Sequence, residues 1–455
     1  MTSESCLAIV LGAGLGTRMK SSLPKVMHEI GNLPLIGHVV RAVQAAGSEE
    51  LAVVIGPEMP EVETTVRSLS PGAQCFVQHD RLGTAHAVKA AEAAYQGSEC
   101  GHVLVLFGDT PLVTPASFVA LREELAKGAD VVVLGFEAAD PHGYGRLLTK
   151  GNQLVSIREE KDATDEERRV SLCNAGIMGF RREALAELVD LIENKNAKGE
   201  YYLTDAVEIA ASKGLKVRFS VAPESEVQGI NTRAQLAACD AVFQERMRQQ
   251  AMADGVTLLA PDTVYFSWDT AVAQDVVVEP HVVFGPGVRI ETGVRIKAFS
   301  HFEKAHVERN ATVGPYARLR PNAQVGVGAH IGNFVEIKNA QIEAGAKVNH
   351  LSYIGDARIG TKTNVGAGTI TCNYDGYFKH HTDIGAGAFI GSDSILVAPV
   401  TIGDGALIAA GSVITENVDT NAMAFGRSRQ VSKSDRAAEV RAGLEKKKAQ
   451  TKQAD

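Results

Sequence analysis

Over residues 1 to about 230, short apolar runs alternate with stretches of helical spacing. Leu7–Leu11, Leu51–Ile55, Val103–Phe107 and Val131–Gly135 read as buried strands, short and rich in β-branched residues, as in a parallel sheet. Helices between them make a βαβ series, which predicts a doubly wound α/β domain. From Thr232 to Ala253 the pattern turns helical, with Leu236, Val242 and Phe243 set among Gln and Arg, and predicts one linker helix. From near Val264 a six-residue beat takes over. A large apolar residue recurs at Val278, Phe284, Ile290, Ile296 and Phe302, and resumes after a shorter step at Val307. Later resets fall at Ile342, Ile359 and Ile384, and the beat ends at Ile414. Gly often follows, as in Ile331-Gly332, Ile354-Gly355 and Ile402-Gly403. This period fits neither a helix nor a lone strand; it fits hexapeptide repeats coiled into a parallel β-helix. One apolar side chain per hexad points inward. Gly turns the corner where bulk or a restrictive φ would clash. The domains read as 1–231, a linker at 232–253, and 254–455.

Composition adds mainly exclusions. A chain of 455 residues outgrows a single typical core, in line with more than one domain. Its net charge of -8 gives no general reason to bind nucleic acid. The cysteines are scattered without CxxC and read as reduced thiols of a cytoplasmic protein. The first residues do not form a signal peptide, and no apolar run reaches the ~18 residues of a membrane span. Lys446-Lys447-Lys448 reads as a solvated terminus.

Candidate chemistry begins where the first strand runs into Leu11, Gly12, Ala13 and Gly14. Glycines directly after a strand let backbone N–H groups approach an anion. The spacing is neither GxGxxG nor a Walker loop. Arg18 and Lys25 follow, two cations that can hold a triphosphate and offset charge built up in phosphoryl transfer. Asp109 ends a strand where an open α/β sheet binds ligands, and there a carboxylate can ligate Mg²⁺.

The string from Leu11 to Leu35 resembles the signature of the sugar-nucleotide pyrophosphorylases, which join a nucleoside triphosphate to a sugar 1-phosphate. That resemblance implies a base-reading segment at Gln78, Gly83 and Thr84, since a Gln amide can pair with a uracil edge. It implies a sugar pocket at Gly145, Glu159 and Asn174, joined by Tyr202 and Thr204, and it puts Asn231 beside Asp109 on the metal. Read without it, Glu159 belongs to a solvated acidic run and Asn231 is a helix N-cap.

In the repeat region, Arg320 and Lys338 stand on neighbouring coils and could hold a sugar phosphate, while His350 follows an inward Val. Periodicity alone leaves open whether such a β-helix is catalytic, regulatory or merely oligomerising. The strings around His350 and from Asn364 to Gly376 resemble the acetyltransferase half of one bacterial family. Its members are bifunctional N-acetylglucosamine-1-phosphate uridylyltransferases and glucosamine-1-phosphate N-acetyltransferases, and both halves match in order. The resemblance implies a left-handed β-helix and a homotrimer. His350 is then the general base, because imidazole titrates near working pH. Arg320, Lys338, Tyr353 and Asn364 would bind the amino sugar, and Ala367, Asn373, Tyr374, Ser392, Ala410 and Arg427 the acetyl-CoA. The implied co-substrates are UTP and acetyl-CoA, with Mg²⁺ as cofactor. The loop from Tyr374 to Thr382 breaks the beat and is expected to reach across the site; its His380 and His381 read as loop surface.

Overall fold

The computed structural model describes residues 5–151 and 153–451. They form two compact units. The first runs through Ala253 and also takes in Val264–Thr270; the second comprises Asp254–Thr263 and Ala271 onward.

The first unit is built on a mixed nine-stranded sheet. The Cys6–Leu11 strand pairs in parallel with Glu50–Ile55 on one side and His102–Phe107 on the other. The chain therefore reverses its direction of winding between Cys6–Leu11 and His102–Phe107, and a ligand crevice opens at their carboxyl ends. Leu172–Arg181 departs from the parallel pattern: it runs antiparallel between His102–Phe107 and Val131–Glu137. Alternate strand residues feed two cores. Ala8, Val10, Val53 and Leu104 pack under Leu35–Ala45 and Pro115–Ala126. Leu7, Ile9, Val54 and Val103 pack under Thr84–Ala90 and Arg182–Leu191.

The helix expected as a linker, Arg233–Ala253, packs onto this unit through Leu236, Val242 and Phe243, against Met19, Ile30 and Leu112. Thr232 and Gln235 close a reciprocal capping box at its start. Val264, read as the start of the repeats, also belongs here, with Phe266. The Phe266 amide donates to Gln244 Oε1 at 2.8 Å, and Gln244 Nε2 donates to the Phe266 carbonyl at 2.9 Å.

The second unit is a parallel β-helix. Two-residue strands stack coil on coil, as in Val277–Val278 on Arg295–Ile296 on Thr312–Val313. Glu336–Ile342 and Tyr353–Ile359 run through a corner and serve two faces. Val278, Ile296, Leu319, Ile337, Ile354, Ile390 and Ile408 are fully buried, as the beat requires. Apart from Gly314, whose φ is 94°, the glycines after the beat answer to bulk and not to φ. A Cβ on Gly332 would lie 1.9 Å from the Asn349 carbonyl oxygen of the next coil. Left-handed positions along the solenoid are shared by other glycines, such as Gly287, Gly345 and Gly405, and by non-glycine residues, among them His281, Phe299, Tyr316, Phe334 and Leu351. The closing helix, Arg436–Thr451, is exposed along its length.

Candidate functional site

The glycine loop leaves the first strand between two anchors. Gly12 donates its N–H to Val54 at 2.7 Å, and Met19 is buried at the far end. Between them Gly16 takes a left-handed φ of 62°, and a Cβ there would fall 2.5 Å from Lys25 Cβ. That close approach brings Lys25 back beneath the loop. Its ammonium forms an ion pair with Asp109 and donates to Asn231 Oδ1 at 3.2 Å. Asn231 reaches this point because Ile230 N–H bonds the Asp109 carbonyl at 3.0 Å, while Thr232, not Asn231, caps the helix.

A cleft of about 270 Å³ opens here. It brings together Leu11, Gly12, Ala13, Gly14, Lys25, Gln78, Gly83, Thr84 and Asp109. Arg18 is exposed on the turn after the loop and lies outside the cleft lining. Gly83 needs its φ of 119° and its missing side chain, since a Cβ would sit 2.5 Å from the Tyr201 carbonyl oxygen. Tyr201 is zipped to Leu82 and Ala85 by backbone bonds, and Leu203 N–H bonds Thr84 Oγ1 at 2.9 Å. These bonds tie the segment holding Tyr202 and Thr204 to the Leu82-Gly83-Thr84 turn.

Gly145, Glu159 and Asn174 form a second group of their own. Asn174 N–H bonds the Gly145 carbonyl at 2.8 Å, and a Cβ on Gly145 would lie 3.2 Å from Glu159 Oε1. A register break between Asn174 and Met178 turns the Asn174 side chain onto the Gly176 amide. Burial raises the Glu159 carboxyl above its ordinary range; Lys198 opposes the shift, and Asp162 and Asp205 add to it. Behind the group, Arg146 is buried and donates to the Arg168 carbonyl at 3.3 Å.

On the β-helix, His350 Nδ1 and Asn333 Oδ1 are 2.7 Å apart across adjacent coils, so Asn333 orients the imidazole. His350 is exposed at a hollow of about 360 Å³ lined by Tyr316, Asn333 and Phe334. Its corner continues up the solenoid: Gly368 N–H bonds the His350 carbonyl, Asp393 N–H bonds Ala367, and Gly411 N–H bonds Ser392. Ala410 and Arg427 follow on the same edge, near Gly391 and Gly411. Asn364 lies on the ladder of His350, paired with Lys347 and Phe389.

Arg320 and Lys338 stand at the other edge of the neighbouring face. Arg320 donates to Glu336 at 2.8 Å, and Lys338 lies 3.6 Å from Asp356. Asn339 and Asn373 both donate to Asp356, which spends the Asn373 amide inside the protein. Lys379 from the inserted loop comes against Lys338: their hydrogen bond and mutual repulsion lower the Lys379 amine, while Lys338 is held up by that bond and by Asp356. Tyr353 folds over Gly355, where a Cβ would meet its hydroxyl at 2.4 Å. Tyr374 stays exposed and bonds the Gly376 carbonyl at 2.5 Å. Among the described residues no hydrogen bond or ion pair joins His350 to Arg320 or Lys338.

Comparison with known proteins agrees with both halves. Residues 8–196 match the MobA-like NTP transferase domain, and residues 381–416 match the bacterial transferase hexapeptide (six repeats). The bifunctional protein GlmU of Azorhizobium caulinodans is 56% identical over 448 residues, which make up 98% of this chain and 100% of the relative. Those of Bartonella quintana and Agrobacterium fabrum are 52% and 53% identical, over 97% and 96% of this chain and 98% and 96% of their own. The chain belongs to the GlmU family. It is a bifunctional enzyme of UDP-N-acetylglucosamine synthesis, with glucosamine-1-phosphate N-acetyltransferase and N-acetylglucosamine-1-phosphate uridylyltransferase activities.

Several residues that bear on these sites escaped sequence reasoning. Arg81 lines the cleft and donates from Nε to the Ala13 carbonyl at 2.7 Å. His86 touches Gln78 at 3.2 Å, and Asn333 touches His350. Arg81 and His86 flank the Leu82-Gly83-Thr84 turn, and that proximity was the available signal. Asn333 carried none, because its partner lies one coil away.

Proposed function

We propose that the two reactions are carried by the two groups of residues described above. UTP occupies the cleft of the first unit, with its phosphates against the loop amides of Gly12 to Gly14 and Lys25, and its base against Gln78. Arg18 meets the phosphates from the exposed side. N-Acetylglucosamine 1-phosphate lies against Gly145, Glu159 and Asn174. Its phosphate oxygen attacks the α-phosphorus in line; the bond to the bridging oxygen breaks and pyrophosphate leaves. Positioning and charge neutralisation suffice, with no covalent enzyme intermediate. The convergence of Lys25, Asp109 and Asn231 beside the glycine loop is the observation that carries this reading.

Asp109 and Asn231 also suit Mg²⁺. Their oxygens already meet on one cation, the Lys25 ammonium. Among the described residues no group of three or more His, Cys, Asp or Glu side chains could hold a metal ion. That fits an ion which takes one or two protein oxygens and completes its shell with phosphate and water. When bound, it would neutralise phosphate charge.

In the second unit His350 takes a proton from the glucosamine nitrogen as that nitrogen attacks the thioester carbonyl. The C–S bond breaks and coenzyme A leaves as the thiol. Arg320 and Lys338 receive the sugar phosphate, and Tyr353, Asn364, Asn373 and Tyr374 line the sugar and acetyl groups. Ala367, Ser392, Ala410 and Arg427 follow the coenzyme; their succession along the His350 corner supports that assignment. The proposed state is a cytoplasmic homotrimer; the hexapeptide repeats support assembly. No described helix is long and apolar enough to cross a membrane.

One assay with glucosamine 1-phosphate, acetyl-CoA, UTP and Mg²⁺, following free thiol and pyrophosphate together, tests the reading. His350→Ala should lose thiol release and keep pyrophosphate release from supplied N-acetylglucosamine 1-phosphate. Asp109→Ala should do the reverse. Acetylation at the parental rate in His350→Ala would overturn the assignment.

A further inference from the structure

Gln78 is buried in the wall of the nucleotide cleft, only 4% exposed. Its Nε2 donates to the Gly83 carbonyl at 3.3 Å and faces His86 Nδ1 at 3.2 Å. A carbonyl oxygen can only accept, so the Gly83 contact settles which end of the amide is nitrogen. Both amide hydrogens are then used inside the protein. His86 must take the second through the lone pair of Nδ1, with its own hydrogen on Nε2.

No described donor reaches Gln78 Oε1, and that oxygen is not among the buried atoms left without a partner. The cleft therefore meets Gln78 as an acceptor only. Uracil presents an N3–H donor; cytosine presents a lone pair at the same ring position. Turning the amide over to suit cytosine would set Oε1 against the Gly83 carbonyl, which can only accept, and would need His86 to shift its hydrogen from Nε2 to Nδ1. Gly83 is a backbone group that no side-chain change removes, so His86 is the adjustable half of this lock.

We propose that His86 is a positioning residue for nucleotide choice: it holds the Gln78 amide in the orientation that accepts UTP and rejects CTP. The proposal rests on Gln78 reading the base, as assigned above. His86 itself touches the amide and is not among the residues lining the cleft. A group that acts only by orienting another should change selectivity more than it changes affinity for the sugar phosphate.

The test compares kcat/KM for UTP and CTP with N-acetylglucosamine 1-phosphate, read as pyrophosphate release in the full-length enzyme. His86→Ala should lower the UTP-over-CTP ratio about tenfold, the scale of one neutral hydrogen bond. The KM for N-acetylglucosamine 1-phosphate should stay at the parental value. His86→Asn, whose Oδ1 can stand where Nδ1 stood, should recover most of the ratio. A ratio within twofold of the parent in His86→Ala, or equal losses with both nucleotides, overturns the proposal, because a merely structural role gives the second pattern. Gln78→Ala separates the two layers. If it keeps the parental ratio, base reading by Gln78 fails and the His86 proposal fails with it. If it abolishes the preference while His86→Ala keeps it, only the His86 proposal fails.

Discussion

Replacing Gly16 by Ala tests how the glycine loop aims Lys25. Gly16 sits at φ 62°, ψ 36°, where an L residue costs roughly 1–2 kcal/mol. The new Cβ would lie 2.5 Å from Lys25 Cβ, 3.2 Å from Cγ and 3.3 Å from Cα. Carbon pairs settle at about 3.5–4.0 Å, so the loop and Lys25 must part by about 1 Å. The bond from Lys25 to Asn231 is already 3.2 Å long, and such a shift carries it beyond hydrogen-bonding reach. Displacement of a catalytic group by ~1 Å costs on the order of 10²-fold in rate. Gly16→Ala should therefore lower kcat/KM for pyrophosphate release about a hundredfold. Thiol release from acetyl-CoA by the same sample should hold its parental rate. The assay is a paired initial-rate measurement, with far-UV circular dichroism to verify the fold. Pyrophosphate release within about threefold of the parent would refute the link between the Gly16 contact and Lys25.

Three further changes probe other contacts. Asn333→Ala removes the 2.7 Å partner of His350 and should slow acetyl transfer about tenfold with uridylyl transfer intact; an unchanged thiol-release rate counts against orientation by Asn333. Arg81→Ala frees the Ala13 carbonyl and removes a cation from the cleft, so KM for UTP should rise about tenfold while KM for the sugar phosphate holds. Burial first, then Glu208 and Asp162, push the Asp205 carboxyl from 3.8 to about 6, against the pull of Arg158. A carboxyl raised by folding destabilises the fold once ionised, so stability is lost as pH rises from 3.8 through about 6. Asp205→Asn should accordingly raise the melting temperature more near neutral pH than in acid; an equal gain at both, by scanning fluorimetry, would exclude this cause.

The hexad beat translated directly into buried positions because each coil repeats one local rule, with one inward side chain and one corner. The reason for its glycines did not. At Gly332 the constraint is the carbonyl of Asn349, a coil away, and nothing local to Gly332 announces it. The same limit hid Asn333 beside His350 and Arg81 beside Ala13, contacts made by packing between distant segments. Asn231 shows the converse. Local rules made it a helix N-cap, but Thr232 with Gln235 takes that role and leaves the Asn231 amide oxygen for Lys25. Arg233–Ala253 reads as a free connector because few of its positions carry large apolar side chains; a short stripe around Phe243 suffices to dock it, against a Gly31 that leaves room for the ring.

Gly360, Gly391 and Gly403 repeat the constraint of Gly332: a Cβ on each would fall 2.4 Å from backbone atoms of the coil above. Because each coil touches only its neighbours, inserting or deleting a whole coil preserves every such contact, whereas adding one methyl group at these corners breaks one. Change in this solenoid is therefore quantised. Its length is free to drift in coil-sized steps over evolutionary time, while these corner positions are closed to gradual enlargement.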